Sequence, residues 1–210
     1  DELTCESVEA SRSLLRRYGG LRTSSASSSS SSSSTAATAP GRTLLALNLY
    51  NSEAVIPSLA HALLRVAAFL GPDNVHVSIF ENGSTDRTVA ALAHLARALS
   101  ALGADHDVLS DARHTDWNKV DRIDQLAVYR NVALAPLTTT TTNGTAFTDV
   151  VFVNDVFTCP GDVLELLFQR RVQSADAACG MDWRANKGPG HWWRDSVVYY
   201  DSWYVPDPPS

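Results

Sequence analysis

Between residues 43 and 172 two kinds of apolar pattern alternate, and that alternation limits the fold more than any other feature of the chain. Short runs rich in Val, Ile and Leu read as strands: "TLLALNLY" (43–50), "VHVSIF" (75–80), "DHDVLS" (105–110) and "VVFV" (150–153). Longer stretches with helical spacing lie between and after them. In "SEAVIPSLAHALLRVAAFL" (52–70), Ile56, Leu59, Leu63 and Leu70 fall near one stripe, and Pro57 sits in the first turn, where proline is tolerated. In "STDRTVAALAHLARALSALG" (84–103), Val89, Leu92, Ala96 and Leu99 share a face and Gly103 is a stop signal. "DRIDQLAVYRNVAL" (121–134) is a third helix, with Ile123, Leu126, Ala127, Arg130 and Leu134 on adjacent rows. "PGDVLELLFQRR" (160–171) is a fourth, and "DAACGM" (176–181) and "SVVYY" (196–200) are later strands. Strands alternating with helices predict βαβ units, an α/β fold with a mainly parallel, Rossmann-like sheet flanked by helices. Ligands of such sheets bind beyond the carboxyl ends of the strands.

Three low-complexity or helical features flank and interrupt this core. Residues 1–22 read as an N-terminal helical segment with a basic end, "SRSLLRRYGGLR". A Ser-rich tract follows, and residues 23–42 are assigned to a disordered linker, because such a composition cannot build a core. In a secretory protein it is a candidate O-glycosylated stalk. "TTTTTNGT" (138–145) is a second flexible insertion, and Asn143-Gly144-Thr145 within it matches a glycosylation acceptor. Residues 43–210 then form the remaining domain.

The net charge of −6 argues against a nucleic-acid partner, which favours a basic surface. No apolar run approaches the ~18 residues of a membrane span. The opening "DELTCESVEA" lacks the basic and apolar segments of a signal peptide. The expectation is either a cytosolic chain or a lumenal portion of a protein whose anchor precedes residue 1. Cys5, Cys159 and Cys179 lack metal-ligand spacing. Cys159 and Cys179 sit near ends of predicted strands, so the choice is between a 159–179 disulfide and three free thiols. No G-x-S-x-G, H-E-x-x-H, C-x-x-C or G-x-x-x-x-G-K-[ST] occurs, which removes the common hydrolase, metalloprotease and P-loop readings.

Polar residues gather where the predicted strands end: Asn51-Ser52-Glu53, Glu81-Asn82-Gly83-Ser84 and Asn154-Asp155. In "SIFENGSTDRT", Ser84 or Asp86 serves as a helix cap, whereas capping leaves Glu81 and Asn82 unexplained. Glu81 is a candidate acceptor for a base or ribose hydroxyl, and the helix start that follows, including Arg87, is a candidate anion site. Arg130 and Asn131 lie on the helix before the next strand, either facing a cleft or on a solvated surface. Asp155 is either a turn cap or an oxygen ligand for Mg²⁺ or Mn²⁺, which would neutralise a departing diphosphate. Trp183, Trp192, Trp193 and Trp203 crowd the C-terminal stretch with Asp182, His191 and Asp201, a composition suited to stacking on sugars or to an aromatic subcore.

Six segments in order, "LNLYNSE", "FENGSTDRT", "RIDQLAVYRNVAL", "VVFVNDVFTCPGDVLELL", "ACGMDW" and "YYDSW", resemble the fungal capsule-associated α-1,3-mannosyltransferase family, glycosyltransferase family 69, over roughly residues 43 to 205. The resemblance implies a GT-A type fold, a nucleotide-sugar donor (GDP-mannose), a glycan acceptor and a divalent metal, Mn²⁺ or Mg²⁺. It also implies a role in polysaccharide biosynthesis by a Golgi glycoprotein, type II membrane-anchored through a segment absent from this chain. The acceptor region is expected to be incomplete after "YYDSWYVPD". The resemblance assigns the nucleoside to Glu81-Asn82, with Asn51, Arg87, Arg130, Asn131, Asn154 and Asp201 as further substrate-binding candidates. Asp155 is the metal ligand, and Asp155 and Asp182 are the catalytic candidates. The Asp-x-Asp pattern common among GT-A enzymes is reduced here to one carboxylate, so a metal needs a further ligand such as His191 or Asp201. The alternatives are another nucleotide-sugar transferase, for example a xylosyltransferase, a nucleotidyltransferase on the same fold, or a non-catalytic or truncated sugar-binding member.

Overall fold

The computed structural model describes residues 11–22, 42–112, 115–116, 118–138, 146–181, 183–185 and 197–199. The chain divides into two compact units, Asp1–Phe168 and Gln169–Ser210. In the first unit four strands form one sheet: β1 (Arg42–Leu49), β2 (Val75–Glu81), β3 (Asp105–Ser110) and β4 (Phe147–Val153). Their order is β3-β2-β1-β4, and every pair is parallel. Parallel pairing requires a crossover between successive strands, and helices supply it. These are α2 (Ile56–Leu70), α3 (Thr88–Leu102) and α4 (Arg122–Ala133), with α1 (Ser11–Tyr18) before β1 and α5 (Pro160–Val172) after β4. The expected mainly parallel α/β sheet flanked by helices is therefore the one observed.

Strand periodicity explains the layers. On β1, Leu45, Leu47 and Leu49 face one way and pack with Val75, Val77 and Ile79 of β2 against α2, α3 and α5. Leu44, Ala46 and Phe80 face the other way and meet Tyr129 and Ala133 of α4. Being covered on both faces makes β1 almost continuously apolar. Each fully buried leucine contributes roughly 1.5–3 kcal/mol, so this doubly covered strand is the main hydrophobic anchor of the unit. At the end of α3, Gly103 adopts φ 83°. The N–H of Ala104 reaches back to Leu99 O at 3.1 Å, closing the helix as its sequence predicts.

The face of α4 matches its sequence reading only in part: Leu126 and Leu134 pack against the smaller core cluster. Tyr129 and Ala133 are buried, whereas Ile123 is 60% exposed and Arg130 is exposed. The sheet selects the row carrying the Tyr129 ring, which packs on Phe80 with centroids 5.5 Å apart. Ile123 lies six residues earlier, on a different face of the helix.

The N-terminal segment is docked on the sheet's helical layer. Tyr18 and Leu21 are buried in the larger core. Tyr18 Oη donates to Glu165 Oε2 at 2.6 Å, and Arg17 pairs with the same carboxylate at 2.5 Å. The Arg17 guanidinium also lies 4.9 Å from the centroid of Phe168. Burial, reinforced by the Glu165 hydrogen bond, pushes the Tyr18 phenol above its ordinary pKa.

In the second unit, β5 (Trp183–Ala185) and β6 (Val197–Tyr199) pair antiparallel, Trp183 opposite Tyr199. The expected strand at "SVVYY" is present in part, and the one at "DAACGM" is not: residues 177–181 have no regular structure. Cys159 is held in a disulfide, while Cys179 is a free, exposed thiol. The 159–179 pairing is therefore not formed. It required adjacent strand ends, and the segment carrying Cys179 is not a strand. No helix among the described residues is long and apolar enough to cross a membrane.

This packing gives an unequal pair of expected costs. Leu164→Ala, at a fully buried position of α5, is expected to destabilise the chain by about 2–5 kcal/mol in urea unfolding. Ile123→Ala is expected to stay within about 0.5 kcal/mol. A large loss from Ile123→Ala would contradict the α4 face described above.

Candidate functional site at the carboxyl edge of the sheet

All four strands of the parallel sheet end at one edge. Leu49 stands beside Glu81, Glu81 beside Ser110, and Leu47 beside Val153. The next residues along each strand are Tyr50-Asn51, Asn82-Gly83, Asp111 and Asn154-Asp155. The chain reverses its winding between β1 and β4, since β2 and β3 lie on one side of β1 and β4 on the other. In open α/β sheets such a switch point is where a ligand crevice forms.

Two loops at this edge are locked together. Asn51 takes a left-handed conformation, φ 48°, which asparagine tolerates better than most residues. Its Oδ1 accepts from the Thr85 N–H at 2.8 Å, and its own N–H donates to Ser84 Oγ at 2.9 Å. The Ser52 N–H donates to Thr88 Oγ1 at 2.8 Å, and the Glu53 N–H to Asp86 Oδ2 at 3.0 Å. In return, Glu53 accepts from Arg87 Nε at 2.7 Å and from the Arg87 N–H at 3.2 Å. Asp86 Oδ1 takes the Thr88 N–H at 2.9 Å, so Asp86 caps α3 as its position suggests.

Glu81 is fully buried. One oxygen accepts the Ser84 N–H and the other the Ser110 hydroxyl. Its carboxylate thus clamps the turn after β2 to the end of β3. Asn82 is nearly buried, and its orientation is set by a chain of amides. Asn48 Nδ2 donates to Phe80 O at 3.1 Å and to Asn82 Oδ1 at 2.8 Å. Asn82 therefore accepts with Oδ1 and keeps its Nδ2 hydrogens for another partner.

Beside Asn82 opens a cavity of about 290 Å³, at the lower end of the range for small-molecule sites. Phe80, Tyr129 and Val132 form its apolar side, and Asn82, Asp111 and Gln125 its polar side. The Tyr129 hydroxyl is hydrogen-bonded to Thr115, which also lines the cavity. Sequence reasoning missed Asp111, Gln125 and Tyr129. The signal was "LSD" at the end of β3, a strand tip equivalent to the other three. A second hollow between α2 and α3 is almost wholly apolar and lies among Leu64, Ala91 and Leu95, apart from the strand tips.

Asp155 is exposed and has no hydrogen-bond partner among the described residues. The cap of α5 is a different carboxylate: Asp162 Oδ2 accepts the Cys159 N–H at 2.8 Å, and the Asp162 N–H returns to Cys159 O at 3.1 Å. The capping role is thus filled by Asp162, and Asp155 stands exposed just beyond the tip of β4. Asn154 and Asn131 are also exposed. The Arg130 guanidinium lies 5.7 Å from the centroid of Phe152, two residues before Asn154. Arg87 is 84% exposed at its side chain and is engaged by Glu53. Asp182, His191 and Asp201 lie outside the described residues. Among the described residues no three His, Cys, Asp or Glu side chains gather. A single exposed carboxylate nevertheless suits Mg²⁺ or Mn²⁺, because magnesium-type ions keep several waters and take one or two carboxylates together with substrate phosphates.

The charged pairs at the loops have a definite pH dependence. The hydrogen bond from Arg87 holds the Glu53 carboxyl below its ordinary pKa and raises that of Arg87. Burial pushes the Asp86 carboxyl up, but hydrogen bonds from Thr88 and from the Glu53 N–H outweigh it and hold it low. A carboxyl depressed in the folded state adds stability that is complete above its unfolded pKa, about 3.9 for aspartate, and is lost as pH falls through the folded value. Asp86→Asn is therefore expected to be less stable than wild type at neutral pH, with the gap closing below about pH 4 in thermal unfolding. A gap independent of pH would contradict this account of the loop lock.

Comparison with known proteins gives this edge its family. Residues 42–208 match the family model described as Cryptococcal mannosyltransferase 1. The chain is 32% identical over 170 residues to the alpha-1,3-mannosyltransferase CMT1 of Cryptococcus neoformans var. neoformans serotype D (strain JEC21 / ATCC MYA-565). That alignment covers 78% of this chain and 35% of the relative, so the chain spans about a third of the relative's length. Among solved structures it is similar to S. aureus TarS, at 16% identity and a TM-score of 0.41, over 72% of this chain and 23% of that one. With the model matching nearly all of the chain beyond the Ser-rich tract, the chain belongs to the Cryptococcal mannosyltransferase 1 family.

Proposed function

We propose that this chain carries the donor-binding part of an α-1,3-mannosyltransferase, which moves mannose from GDP-mannose to a glycan acceptor. The observation that carries the reading is the family match over residues 42–208, which includes all four strand tips of the parallel sheet. The 32% identity to a relative named as an alpha-1,3-mannosyltransferase supports the sugar and the linkage. The cavity beside Asn82 supports a nucleoside subsite, because it pairs an aromatic wall with three side chains able to form hydrogen bonds.

In this reading the nucleoside enters the cavity and its diphosphate runs along the strand tips towards Asp155. A Mn²⁺ or Mg²⁺ ion at Asp155 would supply Lewis-acid neutralisation of the diphosphate. The chain's own residues have separate tasks. Glu81 supports the nucleoside subsite through the turn it clamps. Asn51 and Arg87 hold the loops at the diphosphate edge. Arg130, seated on Phe152, and Asn131 and Asn154 add donors beside the anion. Asp182 touches the donor sugar or the acceptor. Transfer from an α-linked donor into an α-linkage retains configuration, so a strong base on the far face of the sugar is not required. Were the reaction to invert, Asp182 or Asp201 would be the base.

The disulfide at Cys159 supports an oxidising compartment. It accords with a Golgi lumenal enzyme. Transfer is tested with GDP-mannose and a mannoside acceptor on wild type, Asp155→Ala and Asp182→Ala. Each variant is expected to lose at least about a hundredfold in rate, the scale of removing one electrostatic group from a transition state. Near-wild-type transfer in both would sink the assignment. Glycan binding without donor binding would favour a non-catalytic sugar-binding member.

A further inference from the structure

Two carboxamides, Asn82 and Gln125, line the cavity beside Tyr129 with hydrogen-bonding capacity that the fold does not use. We infer that they read the base of the donor, Asn82 by donating to a ring carbonyl and Gln125 by accepting from the ring N–H next to it. This inference rests on the proposal that the cavity holds the nucleoside of the donor.

The polarity of Asn82 is set by its neighbour. Asn48 meets Phe80 O at 3.1 Å, a backbone carbonyl that can only accept, so the Asn48 atom there is its amide nitrogen. The second hydrogen of that nitrogen goes to Asn82 at 2.8 Å, which makes the receiving atom Oδ1. Asn82 Nδ2 is left as a donor without a partner among the described residues, on a residue only 6% exposed. Its backbone is held as well, because the Asn82 N–H donates to Leu49 O at 3.2 Å. A donor so nearly buried is costly to leave unpaired, and it calls for an acceptor on the ligand. Gln125 is half-buried on α4, four residues before Tyr129 and so on the same helix face as that ring. Its carboxamide has no partner among the described residues and can turn either its oxygen or its nitrogen to a ligand. Guanine carries a carbonyl acceptor directly beside a ring N–H, the complement of a fixed donor next to an adaptable amide. The amino group that adenine or cytosine carries at the carbonyl position would set a donor against the Asn82 donor. Phe80 and Tyr129, whose centroids are 5.5 Å apart and tilted by 43°, give the base an aromatic wall.

The test is titration calorimetry of the full chain with GDP and with 2-aminopurine riboside diphosphate, Mn²⁺ present throughout. The analogue keeps the purine ring, the amino group, the ribose and the diphosphate, but lacks both the carbonyl and the ring N–H. A pair of hydrogen bonds to a base edge is worth roughly 10- to 100-fold in affinity, so wild type is expected to prefer GDP by at least about tenfold. Asn82→Asp keeps the acceptor for Asn48 and replaces the free donor by an oxygen. It is expected to lose the preference by weakening GDP alone, while its affinity for the analogue, unchanged within about twofold, shows that the fold is intact. Gln125→Leu, at a half-buried helix position, is expected to lose part of the preference in the same way, and decides the matter should Asn82→Asp not fold. Equal binding of the two nucleotides by wild type, or a full preference for GDP in the folded variants, overturns the base-reading roles and leaves the donor reading standing. If wild type binds neither nucleotide, the GDP-mannose reading itself fails, and this inference with it.

Discussion

The buried carboxylate of Glu81 is the constraint on which the functional edge depends. It sits where β2 leaves the sheet, shielded from solvent, and each oxygen accepts one hydrogen bond, from the Ser84 N–H and from the Ser110 hydroxyl. An unpaired carboxylate at that depth would be strongly unfavourable, so the turn after β2 and the end of β3 are held in the arrangement that satisfies it. Asn82 and Asp111 leave the sheet from those two held points. The cavity between them and α4 is therefore a consequence of the clamp rather than of the loops that surround it.

The same economy of polar groups extends across the edge. The loop after β1 and the loop after β2 have no hydrophobic core of their own. They are held instead by reciprocal bonds among Asn51, Glu53, Ser84, Thr85, Asp86, Arg87 and Thr88. Nearly every polar side chain in this lock is engaged by protein. Asp155 stands apart, exposed and unengaged at the tip of β4, while Asp162 performs the capping of α5. The carboxylates of the loop lock are thus satisfied by the fold, whereas Asp155 is exposed.

The fold was legible because period-2 and period-3.6 patterns are strong when strands are buried on both faces. β1, β2 and β4 were marked by apolar runs, and α2 and α3 by stripes that pack on them. The face of α4 was not legible: its apolar residues are spread around the helix, and only the position of Phe80 decides that Tyr129 turns inward. Glu81 was singled out because capping did not explain it, but it was read as an acceptor for a base or ribose hydroxyl; it is fully buried, and its partners are a hydroxyl 29 residues away and a backbone N–H, which spacing cannot display. Asp111 was passed over because β3 is an edge strand with half-exposed residues and a weak pattern, so its tip was not weighed with the other three. Cys159 and Cys179 were considered as partners because both were read as lying near strand ends, and one of those strands does not exist.

The central claim is that the carboxyl edge of the parallel sheet binds a nucleotide sugar with help from a divalent cation. Calorimetry of the full chain with GDP-mannose, in the presence and absence of Mn²⁺, tests it most directly. The account predicts saturable one-to-one binding that tightens when Mn²⁺ is added. Absence of GDP-mannose binding under both conditions, from a chain that remains folded, would contradict it.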